Sequence, residues 1–462
     1  MAASTRKTSR VKEIGAAPAR TPAGPATGQV AASPRAGRID APSDYLTATQ
    51  AAEALNVKVP SLYSYVSRGV IRSVTQPGTR ARLYYREDVE RAAKRMGGRA
   101  GIPDTVETAV RWGQPMLTTS ITDLADGGHR YRGVPALELA AAGRSFESVA
   151  ELLWSGVDVP GLILWEAAMP SSEVLDRLDA AAGSSDTLTS ARLMSLATAI
   201  IATAMPNKPD FERGTTVADA VSLISLYACA MGLLGPARKV YRPSHPQSIA
   251  QLLANALIGE DAADARTRAA HLRAINATLV VCADHELSPA TFAARVAASA
   301  GAELRACLHA AIVTQSGIRF GGGCERTEAL LASVQTSEAL RDAITGYVAS
   351  GRQVPGFNPV SYPKGDPRAR YLIDLASSMP KNERNQFHAL DGIFKAAQAE
   401  FDLKPRIDVG LVSVSFALGL PRRAAAAMWI IGRCAGWTAH VIEQRLAGFT
   451  MRPRAKYVSL SG

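Results

Sequence analysis

The stretch that most constrains this chain runs from Ile275 to Val313. Leu279, Val280 and Val281 end an apolar segment, and Asp284, His285 and Glu286 follow almost at once. Three ionisable groups where a buried segment stops predict two helices meeting at a polar corner, with at least one group facing a cleft. After Pro289, small residues recur at Ala293, Ala294, Ala297, Ala298 and Ala302, which lets a neighbouring helix approach closely and belongs in a core. A plainer alternative stays open on the residues alone: the acids cap a helix end and His285 is an ordinary core histidine.

At 462 residues the chain exceeds one average domain, so one small and one large domain are expected. Its net charge of +11 is unevenly placed: residues 1–100 hold 17 Lys or Arg against 7 Asp or Glu, and the rest hold 35 against 34. A basic first fifth on a near-neutral body points to a polyanion partner for the N-terminal part alone. Cys229, Cys282, Cys307, Cys324 and Cys434 are scattered with no Cys-x-x-Cys pair. That argues against a disulfide framework or a metal site and for a reducing, cytoplasmic setting. No uninterrupted apolar run reaches the roughly 18–20 residues of a membrane span, and Met194–Met205 and Val217–Gly235 read as buried helices.

Residues 1–43, rich in Ala, Pro, Gly, Ser and Arg, read as a disordered basic arm. Over 44–100 the pattern is helix, turn, helix, wing and helix. Thr47 and Gln50 have capping-box spacing, a second helix spans about Val59 to Arg68 and stops at Gly69, and an Arg-bearing loop joins two short strands. This order of parts resembles the MerR-type winged helix-turn-helix family. The resemblance implies that Ser61, Tyr63, Ser64 and Arg68 lie at the DNA major groove and that Arg80 and Arg82 meet phosphates. A surface-charged oligomerisation module is the alternative.

From 101 to 462 the chain is a series of Ala- and Leu-rich amphipathic patterns between Gly and Pro breaks, which predicts an all-α body. Ile275–Phe292, the Tyr131-Arg132-Gly133 turn with Phe146–Leu153, Gly432–His440 and Met451–Tyr457 together resemble the citrate synthase family. The resemblance implies a two-part helical body that binds an acyl-CoA and a dicarboxylate such as oxaloacetate. It implies Asp408, in Pro405-Arg406-Ile407-Asp408, as the carboxylate base and His285 as a donor to the ketone oxygen. Arg433 and Arg452 would hold substrate carboxylates. Arg452 would reach a partner's site, which implies a homodimer. No tightly bound cofactor and no metal are expected.

Two motifs depart from that pattern. Phe320 stands where the family has the histidine that polarises the thioester carbonyl, and a phenyl ring cannot donate a hydrogen bond. Pro359 and Val360 stand where it has a ketone-binding histidine and a carboxylate-binding arginine, with Asp366-Pro367-Arg368-Ala369 fixing the register. Losing one transition-state donor costs about a hundredfold to a thousandfold in rate. The expectation is therefore a divergent member with lost or strongly reduced condensing activity and a DNA-binding regulatory role. The alternatives are an active condensing acyltransferase using Asp408, with Arg319, Asn358, His129 or His388 as replacement donors, and a non-catalytic subunit paired with an intact citrate synthase.

Overall fold

Thr47 and Gln50 close the expected capping box: Gln50 N–H donates to Thr47 Oγ1 at 3.3 Å and Thr47 N–H to Gln50 Oε1 at 3.0 Å. The computed structural model describes residues 43–76, 78–97, 117–159, 161, 163–165, 170–183, 188–204, 208–260, 264–317, 322–334, 336–380, 387, 395, 398–453, 455 and 457. The basic arm up to residue 42, Arg319, Phe320 and His388 lie outside these residues. The capped helix is α1 (Ala48–Ala54), and α2 (Val59–Ser67) follows with Pro60 in its first turn. Strands β1 (Tyr45–Leu46), β2 (Ser73–Thr75) and β3 (Arg82–Tyr85) form an antiparallel sheet in the order β1-β3-β2, and α3 (Arg86–Gly97) closes the unit. Leu46, Ala51, Leu55, Leu62, Ile71, Tyr84 and Val89 fill its own small core. Tyr45, Val74 and Tyr85 join the larger core instead, so the winged unit is packed against the body.

The body opens with an antiparallel sheet of β4 (Thr122–Ala125), β5 (Gly128–Tyr131) and β6 (Val134–Pro135). Along β5 the side chains alternate, so His129 and Tyr131 are buried while Arg130 faces out. Helices then follow: α4 (Ala136–Ala141), α5 (Phe146–Ser155), α6 (Ser172–Ala182), α7 (Ser190–Ala204), α8 (Asp210–Arg213) and α9 (Thr216–Ala230). Next come α10 (Ile249–Ile258), α11 (Ala265–Val281), α12 (Pro289–Ser299), α13 (Leu304–Gln315), α14 (Gly323–Ala332) and α15 (Ser337–Ala349). The last are α16 (Pro367–Ser377), α17 (Ile407–Ala417) and α18 (Ala424–Ala447). Thr216–Leu233 is apolar and long enough to cross a membrane, but 72% of it is buried in this fold and its Asp219 accepts from Arg213 at 2.7 Å.

Helix α18 is the hub, packing against α5, α9, α11, α12, α13 and α17. Its apolar surface runs all round, as burial on every side demands. Two glycines on it admit the polar corner. A Cβ on Gly436 would lie 2.1 Å from Asp284 Oδ1, and one on Gly432 would lie 2.9 Å from Cys282 Cβ. Only glycine lets the end of α11 nest this closely, and Gly436 N–H also donates to Ala283 O at 2.9 Å.

Candidate functional site

The corner expected between two helices is there: α11 stops at Val281, Glu286 takes a left-handed φ of 49°, and Ser288 caps α12 through the Thr291 N–H at 3.3 Å. The acids therefore do not cap α12. Asp284 turns inward and is fully buried, accepting from Arg433 Nη1 at 2.8 Å, Glu286 N–H at 2.9 Å and His440 Nε2 at 3.3 Å. Arg295 Nη1 lies 3.3 Å from His440 Nδ1 and can only donate, so the His440 proton sits on Nε2, facing Asp284. Burial alone would raise the Asp284 pKa, but the Arg433 guanidinium and the His440 ring outweigh it and hold the carboxyl well below the usual range. Arg433 also donates to Thr291 Oγ1 at 2.7 Å, and its buried Nε has no partner among the described residues.

His285, half-buried, is the next residue, and β5 brings His129 to it: His129 Nε2 and His285 Nδ1 are 2.7 Å apart. His129 Nδ1 lies 3.0 Å from Tyr362 Oη, and the His285 ring packs edge-on against Trp429 at 5.9 Å. Burial, then the Arg368 charge, push both imidazoles well below their ordinary pKa, and Arg433 adds to this. Both rings are neutral at pH 7, and one donates to the other. Burial raises the Tyr362 phenol to about 12, so it keeps its proton. Tyr131 Oη fastens the corner to β5, accepting from Asp284 N–H at 3.2 Å and donating to Val281 O at 3.1 Å.

Arg368, fully buried, was used in the sequence only to fix register. Its Nε and Nη2 lie on Asp366 at 3.1 and 2.7 Å, while Nη1 has no partner among the described residues. A fully buried guanidinium nitrogen left without an acceptor is a donor waiting for an anion. Asp408 sits nearby in the first turn of α17: a Cβ on Gly410 would press on Leu372 Cβ at 2.9 Å and Ala369 Cα at 3.0 Å, so α17 lies directly on the helix carrying Arg368. Asp408 is not a helix cap. Its Oδ2 is 3.1 Å from Arg406 Nε, and Cys324 Sγ lies 3.3 Å from Oδ1. Burial, then Asp408, raise the Cys324 thiol pKa well above its usual value, so the thiol is the donor. Arg433, His285, Arg368 and Asp408 thus converge, while Arg452 is exposed and is not brought to them within the chain.

The loop after Gly356 has a different allegiance. Pro359 is buried and Val360 half-buried, and neither offers a polar side chain. Asn358 does not replace the missing groups: its Nδ2 donates to Tyr85 Oη at 2.7 Å and its Oδ1 accepts from Lys404 N–H at 2.8 Å. Its carbonyl accepts from Arg72 Nη1 at 2.6 Å, and Arg72 in turn grips Asp88 through Nε at 2.7 Å and Nη2 at 2.9 Å. Four residues on, Tyr362 reaches His129, and Pro363 lies where a Cβ on Gly69, just past α2, would touch it at 3.1 Å.

On the winged unit, Ser61, Tyr63, Ser64, Arg68 and Arg80 are exposed. Arg68 folds back on its own helix, donating from Nε to Ser64 O at 2.9 Å. Arg82 departs from the expectation of a free phosphate contact: it donates to Ser73 Oγ at 2.7 Å and to Asp402 Oδ2 of the body at 3.0 Å. The sequence reading gave no role to Arg368, His440, Tyr362 or Arg406. The one available signal was spacing: Arg433, Gly436 and His440 share a helix face, and Arg368 follows an Asp-Pro helix start.

Residues 110–454 match the family described as citrate synthase, C-terminal domain, and residues 45–97 match a helix-turn-helix domain. The chain is 26% identical over 343 residues to citrate synthase of Mycolicibacterium smegmatis, covering 71% of this chain and 88% of that one. It is 29% identical over 188 residues to citrate synthase 2 of Bacillus subtilis, covering 40% of this chain and only 50% of that relative. Among solved structures, citrate synthase of Thermoplasma acidophilum in complex with carboxymethyl coenzyme A and oxaloacetate superposes with a TM-score of 0.64 at 20% identity, over 77% of this chain and 97% of that one.

Proposed function

The chain belongs to the citrate synthase family, and on that premise we propose that it is a divergent member in which the body binds a small carboxylate ligand and a MerR-type winged unit carries the response to DNA. The observation that carries this reading is the segment from Asn358 to Pro363. One end holds Tyr85 and Arg72 of the winged unit, and the other holds His129 and packs on the turn after α2. A ligand that repositions the histidine pair acts on a loop already fastened to the DNA-facing unit, which is the differential contact a ligand needs to bias a conformational equilibrium.

Condensing activity is lost or strongly reduced in this reading. The loop position that in the family brings a histidine and an arginine is Pro359 and Val360, and Asn358 is committed to Tyr85 and Lys404. The retained groups suit binding: the buried Arg368 and Arg433 each keep a nitrogen without a partner among the described residues, available to a carboxylate, and neutral His285 can hydrogen-bond a ketone or hydroxyl oxygen. Acyl-CoA and oxaloacetate are the ligands this family relationship suggests. Ser61, Tyr63, Ser64, Arg68 and Arg80 form the face offered to DNA, and a second copy of the chain would supply the other half-site reader.

The test joins two assays on the full-length protein. Purified protein given acetyl-CoA and oxaloacetate should release no CoA above the level of Asp408→Asn. Its selected DNA sites should bind with an affinity that falls steeply with salt and shifts when oxaloacetate is added. Turnover that disappears in Asp408→Asn would restore the enzyme reading, and DNA binding indifferent to every carboxylate tested would sink the sensor.

A further inference from the structure

Arg82 stands on the wing with one guanidinium nitrogen committed to each side of a boundary. Its Nη1 donates to Ser73 Oγ on the neighbouring strand at 2.7 Å, and its Nη2 donates to Asp402 Oδ2 of the body at 3.0 Å. The two charged side chains are 34% and 36% exposed, whereas those of Arg72 and Asp88, a second ion pair of the winged unit, are 5% and 2% exposed. Depth separates the two pairs physically. Breaking the buried pair would strand a charge away from water, but a pair that water and salt already reach is worth little and can exchange partners.

Asp402 is placed to stay behind when Arg82 leaves. Lys404 Nζ lies 2.7 Å from its other oxygen, Oδ1, so the carboxylate keeps a counter-charge. The Lys404 backbone is bonded to Asn358 in both directions, Asn358 N–H to Lys404 O at 2.6 Å and Lys404 N–H to Asn358 Oδ1 at 2.8 Å, which fixes this segment to the body. Glu400, two residues earlier, is held by Arg341 at 2.7 Å, so Asp402 is the acid that meets the wing. Beside the pair an open cleft of about 410 Å³ separates Gln76, Thr79 and Arg80 of the wing from Glu400 and Phe401, and Thr79 and Arg80 are exposed. The tip of the wing is therefore not packed down on the body.

A carboxylate oxygen accepts from a guanidinium nitrogen with the same charge and geometry that a phosphate oxygen offers. We infer that Asp402 occupies the place of a DNA backbone phosphate: Arg80 is free to meet DNA, and Arg82 meets it only by exchanging Asp402 for phosphate, so the body restrains its own DNA-binding unit. This rests on the DNA-binding reading above and adds to it the body residue that competes with DNA.

A double-mutant cycle on the full-length protein tests this, read by fluorescence anisotropy with a labelled duplex that the unmodified protein selects from a random pool. Asp402→Asn keeps the shape of the side chain and suits the left-handed φ of 56° at this position. It should tighten DNA binding about threefold to fivefold, the scale of a partly exposed ion pair. Arg82→Gln should change affinity less than about twofold, because the phosphate contact it loses is offset by the Asp402 contact that no longer has to be broken. In the Arg82→Gln background, Asp402→Asn should then have no effect. Asp402→Gly, which also suits that backbone, runs the same cycle should the Asn protein fail to fold. An equal gain with and without Arg82 would reduce Asp402 to a general negative charge and overturn the inference, as would no gain at all, and either result leaves the DNA-binding reading in place. Failure of the unmodified protein to select or bind any duplex would overturn the inference and that reading together.

Discussion

The Asp284 corner and the Asn358–Pro363 loop border the same pair of histidines, yet their polar groups point different ways. At the corner the buried charges are paired inside the body: Asp284 accepts from Arg433 and His440, and Arg295, which donates to His440, is paired with Glu443. In the loop the polar groups point outward, with Asn358 serving Tyr85 and Arg72 of the winged unit and only Tyr362 turned to the site. The corner is a closely packed wall that the glycines of α18 admit. The loop is built as a joint. The proposed function reads the first as kept for recognition and the second as rebuilt at the expense of donors that condensation would need.

The comparison breaks most visibly at Asp284. Replacing it with Ala strands the buried Arg433 charge, and removing one partner of a buried ion pair costs about 3–5 kcal/mol. Thermal unfolding of Asp284→Ala should show a large loss of stability or no folded protein. Stability within 1 kcal/mol of the original (a small fraction of that estimate) would mean that the corner is not the matched network described above.

The joint should give a smaller and more local effect. Arg72→Ala removes the bonds to Asn358 O and Asp88, but Arg91 still reaches Asp88 at 3.0 Å, so the loss should be about 2 kcal/mol. Hydrogen exchange should speed up across 45–97 and not at α18, and coupling between oxaloacetate and DNA should weaken. Uniform acceleration through both regions would remove the distinction between joint and wall.

Much of the wall and the winged unit was legible in the sequence because it is written locally. The Thr47–Gln50 box, the stop at Gly69 and the polar corner after Val281 all follow from spacing over a few residues. The joint was not legible, because its bonds close over long separations with no local pattern. His129 meets His285 from 156 residues away, Asn358 meets Tyr85 from 273, and Arg82 is drawn from its expected phosphate role by Asp402, 320 residues on. Arg368 was hidden for a different reason: an Asp-Pro-Arg helix start looks like capping, and only burial shows that one guanidinium nitrogen has no partner among the described residues.

The smallest predicted effect separates the two regions by pH. His129 and His285 have folded-state pKa values below their unfolded ones, so as pH falls through about 6.5 the unfolded chain takes up protons that the folded chain does not, and stability declines. Asp284 behaves differently: its folded pKa is depressed, so its contribution is complete above the usual carboxylate range near pH 4 and is lost only below it. Between pH 7.5 and 6 the pH dependence from this site therefore belongs to the histidines, at about 1 kcal/mol each by pH 6. His129→Gln should remove its share, flattening the stability profile measured by urea unfolding across that window while leaving the steeper decline below pH 4 unchanged. A His129→Gln profile parallel to the original from pH 7.5 to 6 would mean that the ring is not held neutral against His285, and the line from the site to the Asn358 loop would lose its middle member.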